Sequence, residues 1–259
     1  MGSLSGRTAL VTGASSGIGR SCARALAREG ARIVAAARRT DLVEELCREI
    51  SREFTTEAGA LTVDVRDRDD VLESIGKLAA EGWGPIDILV NNAGLAAGLE
   101  RIDDGDFDKW DRMLDTNVRG LLNVSRAVLP GMVARRSGHV VNIGSIAGRE
   151  IYPSGNVYCA TKFAVRALNK AMRVDLCGKG VRVTTVDPGL VRTEFSLVRF
   201  DGDGERAETP YEGMTPLSPD DVADAVVWAV TRPSHVNVEE VLLMPSDQAS
   251  VHEVDREGL

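Results

Sequence analysis

The sequence predicts one α/β domain, a doubly wound parallel sheet with helices on both faces. Three observations predict it. Short β-branched runs alternate with longer stretches of helical spacing along the 259-residue chain, the pattern of repeated strand–helix–strand units. The run "IDILV" at 86–90 is nearly continuous in apolar residues, as a strand covered on both faces must be. No internal repeat, low-complexity segment or linker interrupts the chain, so residues 1–259 read as a single domain.

The elements follow in order. "TALVT" (8–12) is a strand, and "GIGRSCARALAREG" is a helix closed by Gly30. "ARIVAAA" (31–37) and "DLVEELCREISRE" repeat the pair. "ALTVDV" (60–65), "IDILVNNAG" (86–94), "GHVVNIGS" (138–145) and "VRVTTVDPG" (181–189) continue the strands. Between them "DVLESIGKLAAEG", 107–136 and 157–179 carry helical spacing. "SPDDVADAVVWAV" is a late helix, and "EEVLLMP" (239–245) is a last strand. The stretch 194–216, "EFSLVRFDGDGERAETPYEGMTP", is long, polar and glycine-bearing. A loop of that length after a strand end is expected to be a lid, because parallel sheets bind ligands outside the carboxyl ends of their strands. The lid is set at about 190–216.

Composition narrows the function. The hydrophobic fraction of 43% supports a sizeable core, and no apolar run is long enough to span a membrane. The formal net charge is −8 without a long basic run, which argues against nucleic acid as a partner. Cys22, Cys47, Cys159 and Cys177 form no C-x-x-C pair, and the three histidines are widely spaced. Neither a metal cluster nor a disulfide framework is expected. The first strand starts almost at once, leaving no room for a signal peptide, and Gly6 breaks the myristoylation pattern. A cytoplasmic location is expected.

"LVTGASSGIG" (10–19) ends the first strand and opens the first helix, with Gly13, Gly17 and Gly19 spaced G-x-x-x-G-x-G. Glycine permits a sharp turn and close backbone approach to a pyrophosphate, and the helix N-terminus offers free N–H groups. This is the chemistry of a Rossmann-type dinucleotide site. At the end of the second strand, where an acidic residue would hold the ribose hydroxyls of NAD, the chain has Ala37 followed by Arg38 and Arg39. Guanidinium groups pair with a 2′-phosphate and a carboxylate repels it, so NADP is the expected cofactor, with the Ser15 hydroxyl available to the same phosphate.

"NVYCATK" (156–162) sets Tyr158 four residues before Lys162. On a helix the two side chains share a face. A nearby ammonium favours the phenolate, so the pair could exchange protons near neutral pH. Cys159, next in sequence, points elsewhere and is read as packing.

Together "TGASSGIG", "NNAG" (91–94), "DTNVRG" with Asn117, "NIGS" ending in Ser145, "YCATK" and "PGLVRT" (188–193) resemble, in order and over nearly the whole chain, the short-chain dehydrogenase/reductase family. The resemblance implies an oxidoreductase. In it Tyr158 is the acid/base, Lys162 holds the nicotinamide ribose and lowers the Tyr158 pKa, and Ser145 orients the substrate oxygen. Asn117 holds a water that relays protons to Lys162. The cofactor would be held by Gly13, Ser15, Ser16, Gly17, Ile18, Gly19, Arg38 and Arg39. Further contacts are implied at Asp64, Val65, Asn91, Ala93, Gly94, Tyr158, Lys162, Pro188, Gly189, Val191 and Thr193. Ser145 and Tyr158 would meet the substrate, and Tyr152 would at most shape the pocket.

"GNVYCATKFAVRAL", "TEFSLVRFDGD", "ERAETPYEG" and "HVNVEEVLLMP" are similar, more narrowly, to NADP-dependent 3-hydroxy acid dehydrogenases acting on serine, allo-threonine and related acids. The substrate carboxylate would need a cationic partner, with Arg149, Arg192 and Arg199 as candidates. Another carbonyl or secondary-metabolite substrate, or a non-catalytic NADP-binding protein, would share fold and cofactor site. The resemblance also implies a homo-oligomer, a tetramer or a dimer, assembled through the helices 107–136 and 157–179.

Overall fold

The computed structural model describes residues 2–256. Its elements are β1 (Thr8–Thr12), α1 (Gly17–Arg28), β2 (Arg32–Ala37), α2 (Thr40–Phe54), β3 (Ala58–Thr62), α3 (Arg68–Lys77), β4 (Ile88–Asn91) and α4 (Phe107–Leu114). There follow α5 (Leu121–Arg135), β5 (Gly138–Ile143), α6 (Asn156–Asp175), β6 (Val181–Pro188), α7 (Phe195–Arg199), α8 (Gly204–Glu208), α9 (Pro219–Val230) and β7 (Glu240–Leu243). The seven strands are all parallel, in the order β3-β2-β1-β4-β5-β6-β7. After β3 the chain crosses the sheet to β4, on the other side of β1. This reversal opens a crevice at the carboxyl ends of β1 and β4.

Alternation along the strands builds two cores. Ala9 and Val11 of β1 face a layer that includes Leu26 of α1, Leu46 of α2 and Val226 of α9. Leu10 faces the other way, with Leu89 and Val140, toward Val124 and Val128 of α5 and Val165 of α6. Leu10 lies opposite Val34 of β2 and Leu89 of β4 and is fully buried. Burial of one such side chain contributes about 1.5–3 kcal/mol.

Three expectations are corrected. The strand set at 60–65 occupies Ala58–Thr62, because Asp64 turns, accepting from the Asp67 N–H, and the Asp67 carboxylate caps α3 on Asp69 and Asp70. The helix expected over 107–136 is interrupted by a π-helical turn at Asp115–Gly120. There Gly120 admits the Val65 side chain, whose Cγ2 lies 2.7 Å from where a Cβ would stand. The polar stretch 194–216, expected as a loop, is partly helical. It holds α7, α8 and a 3-10 turn at Thr209–Tyr211. Tyr211 is buried and donates to the Val191 carbonyl at 2.9 Å, and Asp203 caps α8 on the Arg206 N–H at 3.1 Å.

Candidate active site

One cavity of about 680 Å³ lies at the carboxyl ends of the strands. Its floor at one end is the β1–α1 turn. Gly13 has φ +64, a left-handed conformation that a side chain would strain. A Cβ at Gly19 would strike the Asn92 amide and the Gly13 carbonyl. Ser16 is the N-cap residue of α1, but its side chain caps no backbone N–H. The helix therefore turns uncapped N–H groups toward the turn. The Ser16 hydroxyl instead accepts from Arg39 Nη2 at 2.7 Å, and Ser15 Oγ accepts from the same nitrogen at 3.0 Å. A guanidinium, two hydroxyls and an uncapped helix terminus form a cradle for phosphate. With Ala37 leaving the end of β2 free of a carboxylate, these residues fit NADP.

Ser15, Ser16, Gly17, Ile18, Arg38, Arg39, Asp64, Val65, Ala93, Gly94, Pro188, Gly189, Val191 and Thr193 line the cavity with Gly13. The Asp64 carboxyl is held below the usual carboxylate range by hydrogen bonding to Arg66. Gly19, Asn91 and Asn117 are not in the wall. Gly19 serves the packing of the turn. Asn91 is buried beneath it, donating to Ser125 Oγ at 3.0 Å and Asn142 Oδ1 at 2.9 Å.

At the other end Ser145, Tyr158 and Lys162 reach the same cavity. Lys162 is buried, its Nζ donating to the Ile143 carbonyl at 2.9 Å and lying 5.9 Å from the Tyr158 ring centroid. Burial pulls the Lys162 ammonium down to about 8, and the Asp187 carboxylate opposes that pull. The expected lowering of the Tyr158 pKa is absent. Burial raises the phenol, the Tyr152 phenol adds to the rise, and the Arg199 cation and a hydrogen bond with Ser145 counteract it. The Lys162 ammonium is directed to the Ile143 carbonyl and is not among the groups that offset the rise.

Asn117 is buried. Its Oδ1 accepts from the Leu95 N–H at 2.8 Å, and its Nδ2 donates to the Leu95 carbonyl at 2.8 Å and to Thr161 Oγ1 at 3.0 Å. The side chain thus ties the segment after β4 to α6. Its neighbour Thr116 lines the cavity.

Sequence reading missed a good part of the wall. The chain after β7 returns to the cavity through Gln248, Val251, Val254 and Arg256. Gln248 Oε1 accepts from the Leu190 N–H at 2.8 Å, and Arg256 donates to the Pro210 carbonyl at 3.0 Å and to that of Glu212. No periodicity marks this segment. Of the cationic candidates, Arg149 pairs with Asp187 at 2.6 Å and Glu240 at 2.8 Å, and Arg192 with Glu208 at 3.4 Å; neither lines the cavity. Arg199 does, as does Tyr152. Cys159 is buried away from the cavity. Among the described residues no cluster suits a metal ion, and no helix is long and apolar enough to cross a membrane.

Known proteins share this arrangement. The NADP-dependent 3-hydroxy acid dehydrogenase YdfG of Escherichia coli (strain K12) is 46% identical over 241 residues, 93% of this chain and 95% of that one. The NADP-dependent 3-hydroxy acid dehydrogenase of Schizosaccharomyces pombe is 41% identical over 257 residues, 99% of each chain. Among solved structures, the closed form of a serine dehydrogenase complexed with NADP+ superposes with a TM-score of 0.89 at 45% identity, covering 96% of this chain and 100% of that one. The short chain dehydrogenase family model matches residues 7–202. With the glycine turn, the seven-stranded parallel sheet and the Tyr158–Lys162 pair in one cavity, this chain belongs to the short-chain dehydrogenase/reductase family.

Proposed function

We propose that the protein is an NADP-dependent oxidoreductase that interconverts the hydroxyl of a small 3-hydroxy acid, of the serine and allo-threonine kind, with the matching carbonyl. The chain works as one domain, with residues of about 190–216 as the lid, in the cytoplasm and as a homo-oligomer. The observation that carries the reading is a single cavity joining the Arg39–Ser15–Ser16 cradle to Ser145, Tyr158 and Lys162. The names of the 3-hydroxy acid dehydrogenases at 46% and 41% identity support the substrate class.

NADP supplies the hydride chemistry when bound. The chain supplies the proton and the geometry. In oxidation the Tyr158 phenolate takes the proton of the substrate hydroxyl; in reduction the phenol returns it. Ser145 donates to the substrate oxygen and fixes its direction. Lys162 would hold the nicotinamide ribose, and with its pKa pulled down to about 8 it can exchange a proton with the relay water held by Asn117 at mild pH. Asn117 would hold a water that relays protons to Lys162, while its side chain holds Leu95 and Thr161 around the pair.

The test is a set of initial rates by nicotinamide absorbance. NADP⁺ and NAD⁺ are supplied in parallel with L- and D-serine, allo-threonine, threonine and 3-hydroxypropionate, and NADPH with neutral carbonyls. Turnover of the acids with NADP⁺ supports the reading. Turnover of neutral carbonyls alone removes the acid from it.

A further inference from the structure

We propose that Arg199 is the anchor for the substrate carboxylate and sets the preference for acids over neutral alcohols. The inference rests on the 3-hydroxy acid reading and adds to it the residue that recognises the acid. It starts from an arginine in an unusual position. Arg199 is the last residue of α7 and lines the cavity. Its guanidinium carbon lies 5.1 Å from the Tyr158 ring centroid, 5.6 Å from that of Tyr152 and 5.6 Å from that of Phe195. The aromatic faces hold the cation in place and leave its edge for hydrogen bonding. One nitrogen donates to the Tyr152 hydroxyl. Its Nε is buried and has no partner, and among the described residues no carboxylate pairs with the group.

A buried donor without an acceptor is costly, and a cation without a counter-ion more so. Such a group beside an acid/base tyrosine is matched by an anion that arrives with the ligand. In a 3-hydroxy acid only one carbon separates the reacting carbon from the carboxylate. An acid with its hydroxyl at Tyr158 therefore presents its carboxylate to a cation packed on the Tyr158 ring. Of the other cations of the wall, Arg38 follows the end of β2 at the cofactor cradle, and the rest are already engaged. Arg39 holds Ser15 and Ser16, Lys162 donates to Ile143, and Arg256 donates to two backbone carbonyls. The position also couples the anchor to the lid. The Arg199 carbonyl accepts from the Gly98 N–H at 2.9 Å, joining α7 to the segment after β4.

The experiment compares wild type, Arg199→Gln and Arg199→Lys on a 3-hydroxy acid and its methyl ester, with NADP⁺. NADPH binding and melting temperature serve as folding controls. The expected result for Arg199→Gln is a loss of about 10²-fold in kcat/KM on the acid, mostly in KM, and a loss at least about 10-fold smaller on the ester, where only the support Arg199 gives Tyr158 is removed. Arg199→Lys should retain part of the acid activity. Equal losses on acid and ester, or unchanged acid activity, would overturn the assignment. A wild type that turns over neutral carbonyls but no acid removes the functional reading instead. Inhibition of its carbonyl reduction by malonate then decides Arg199: inhibition lost in Arg199→Gln upholds the anion site, and no inhibition of wild type overturns it.

Discussion

The Arg39 guanidinium lies 3.2 Å from the Glu194 carboxylate, joining the end of β2 to the segment leading into α7. The same guanidinium holds Ser15 and Ser16, so Glu194 competes for the group that would pair with a 2′-phosphate. Both side chains are about half exposed, 50% and 53%, and such pairs are worth about 1 kcal/mol or less. Glu194→Gln is expected to tighten NADP⁺ by about 2–5-fold. Arg39→Ala is expected to weaken it by about 10–100-fold and NAD⁺ much less. Fluorescence titration of both cofactors against both variants checks the pair of outcomes; equal weakening of NAD⁺ by Arg39→Ala would show that Arg39 does not read the 2′-phosphate.

Lys162 opposes stability in exchange for function. Its pKa falls from 10.5 to about 8 on burial. Below pH 8 both folded and unfolded chains carry the proton, and the folded chain bears the full penalty of the buried charge. Between about 8 and 10.5 the folded chain sheds the proton first, so this contribution to stability rises with pH. Lys162→Met should abolish turnover and raise stability at pH 7 by about 1–3 kcal/mol. Urea unfolding at pH 7 and pH 10 tests it, because the gap to wild type should narrow at the higher pH.

His139 works at the other end of the pH scale. It is 2% exposed, with Nε2 2.7 Å from Thr184 Oγ1, whose own hydroxyl donates to the Val238 carbonyl at 2.6 Å. Thr184 therefore accepts, and the imidazole is the neutral Nε2–H tautomer. Burial, aided by the Arg182 cation, pulls its pKa from 6.5 to about 3. The unfolded chain takes up the proton first, so stability is complete above pH 6.5 and is lost as pH falls toward 3, by about 5 kcal/mol from this group. His139→Gln should unfold less steeply with acid than wild type when both are followed by circular dichroism.

Helices α5 and α6 leave Leu122, Phe163 and Val174 exposed, whereas Val165 of α6 is buried against the sheet. Exposed apolar residues on helices at the surface fit a subunit contact. Light scattering is expected to report four times the chain mass of 27.8 kDa, and Phe163→Glu to lower the assembly state. A monomeric wild type would remove the tetramer from the account.

The sequence carried the order of strands and helices because each core face repeats with a fixed period, as in Leu10 against Ala9 and Val11. The cofactor turn was legible through Gly13 and Gly19, where space and backbone angle leave little choice of residue. The Tyr158–Lys162 pair was legible through its helical spacing. What escaped depends on contacts made after folding. Nothing local marks a π-helical turn at Asp115–Gly120, or directs the Asn117 amide to Leu95 and Thr161. Helices α7 and α8 form in a polar stretch where Tyr211 reaches Val191. Gln248 meets Leu190 across 58 residues, a distance that no local pattern spans. The environment of Tyr158 escaped because spacing shows the neighbouring lysine and not the burial that raises the phenol.

The most direct test of the central claim is kcat/KM for NADP⁺-linked oxidation of a 3-hydroxy acid by wild type and Tyr158→Phe. The variant keeps the ring and its packing and removes the one hydroxyl proposed to move the proton. A fall of about 10²–10⁴-fold with unchanged NADPH binding is the predicted result. Retention of wild-type turnover in Tyr158→Phe would contradict the account.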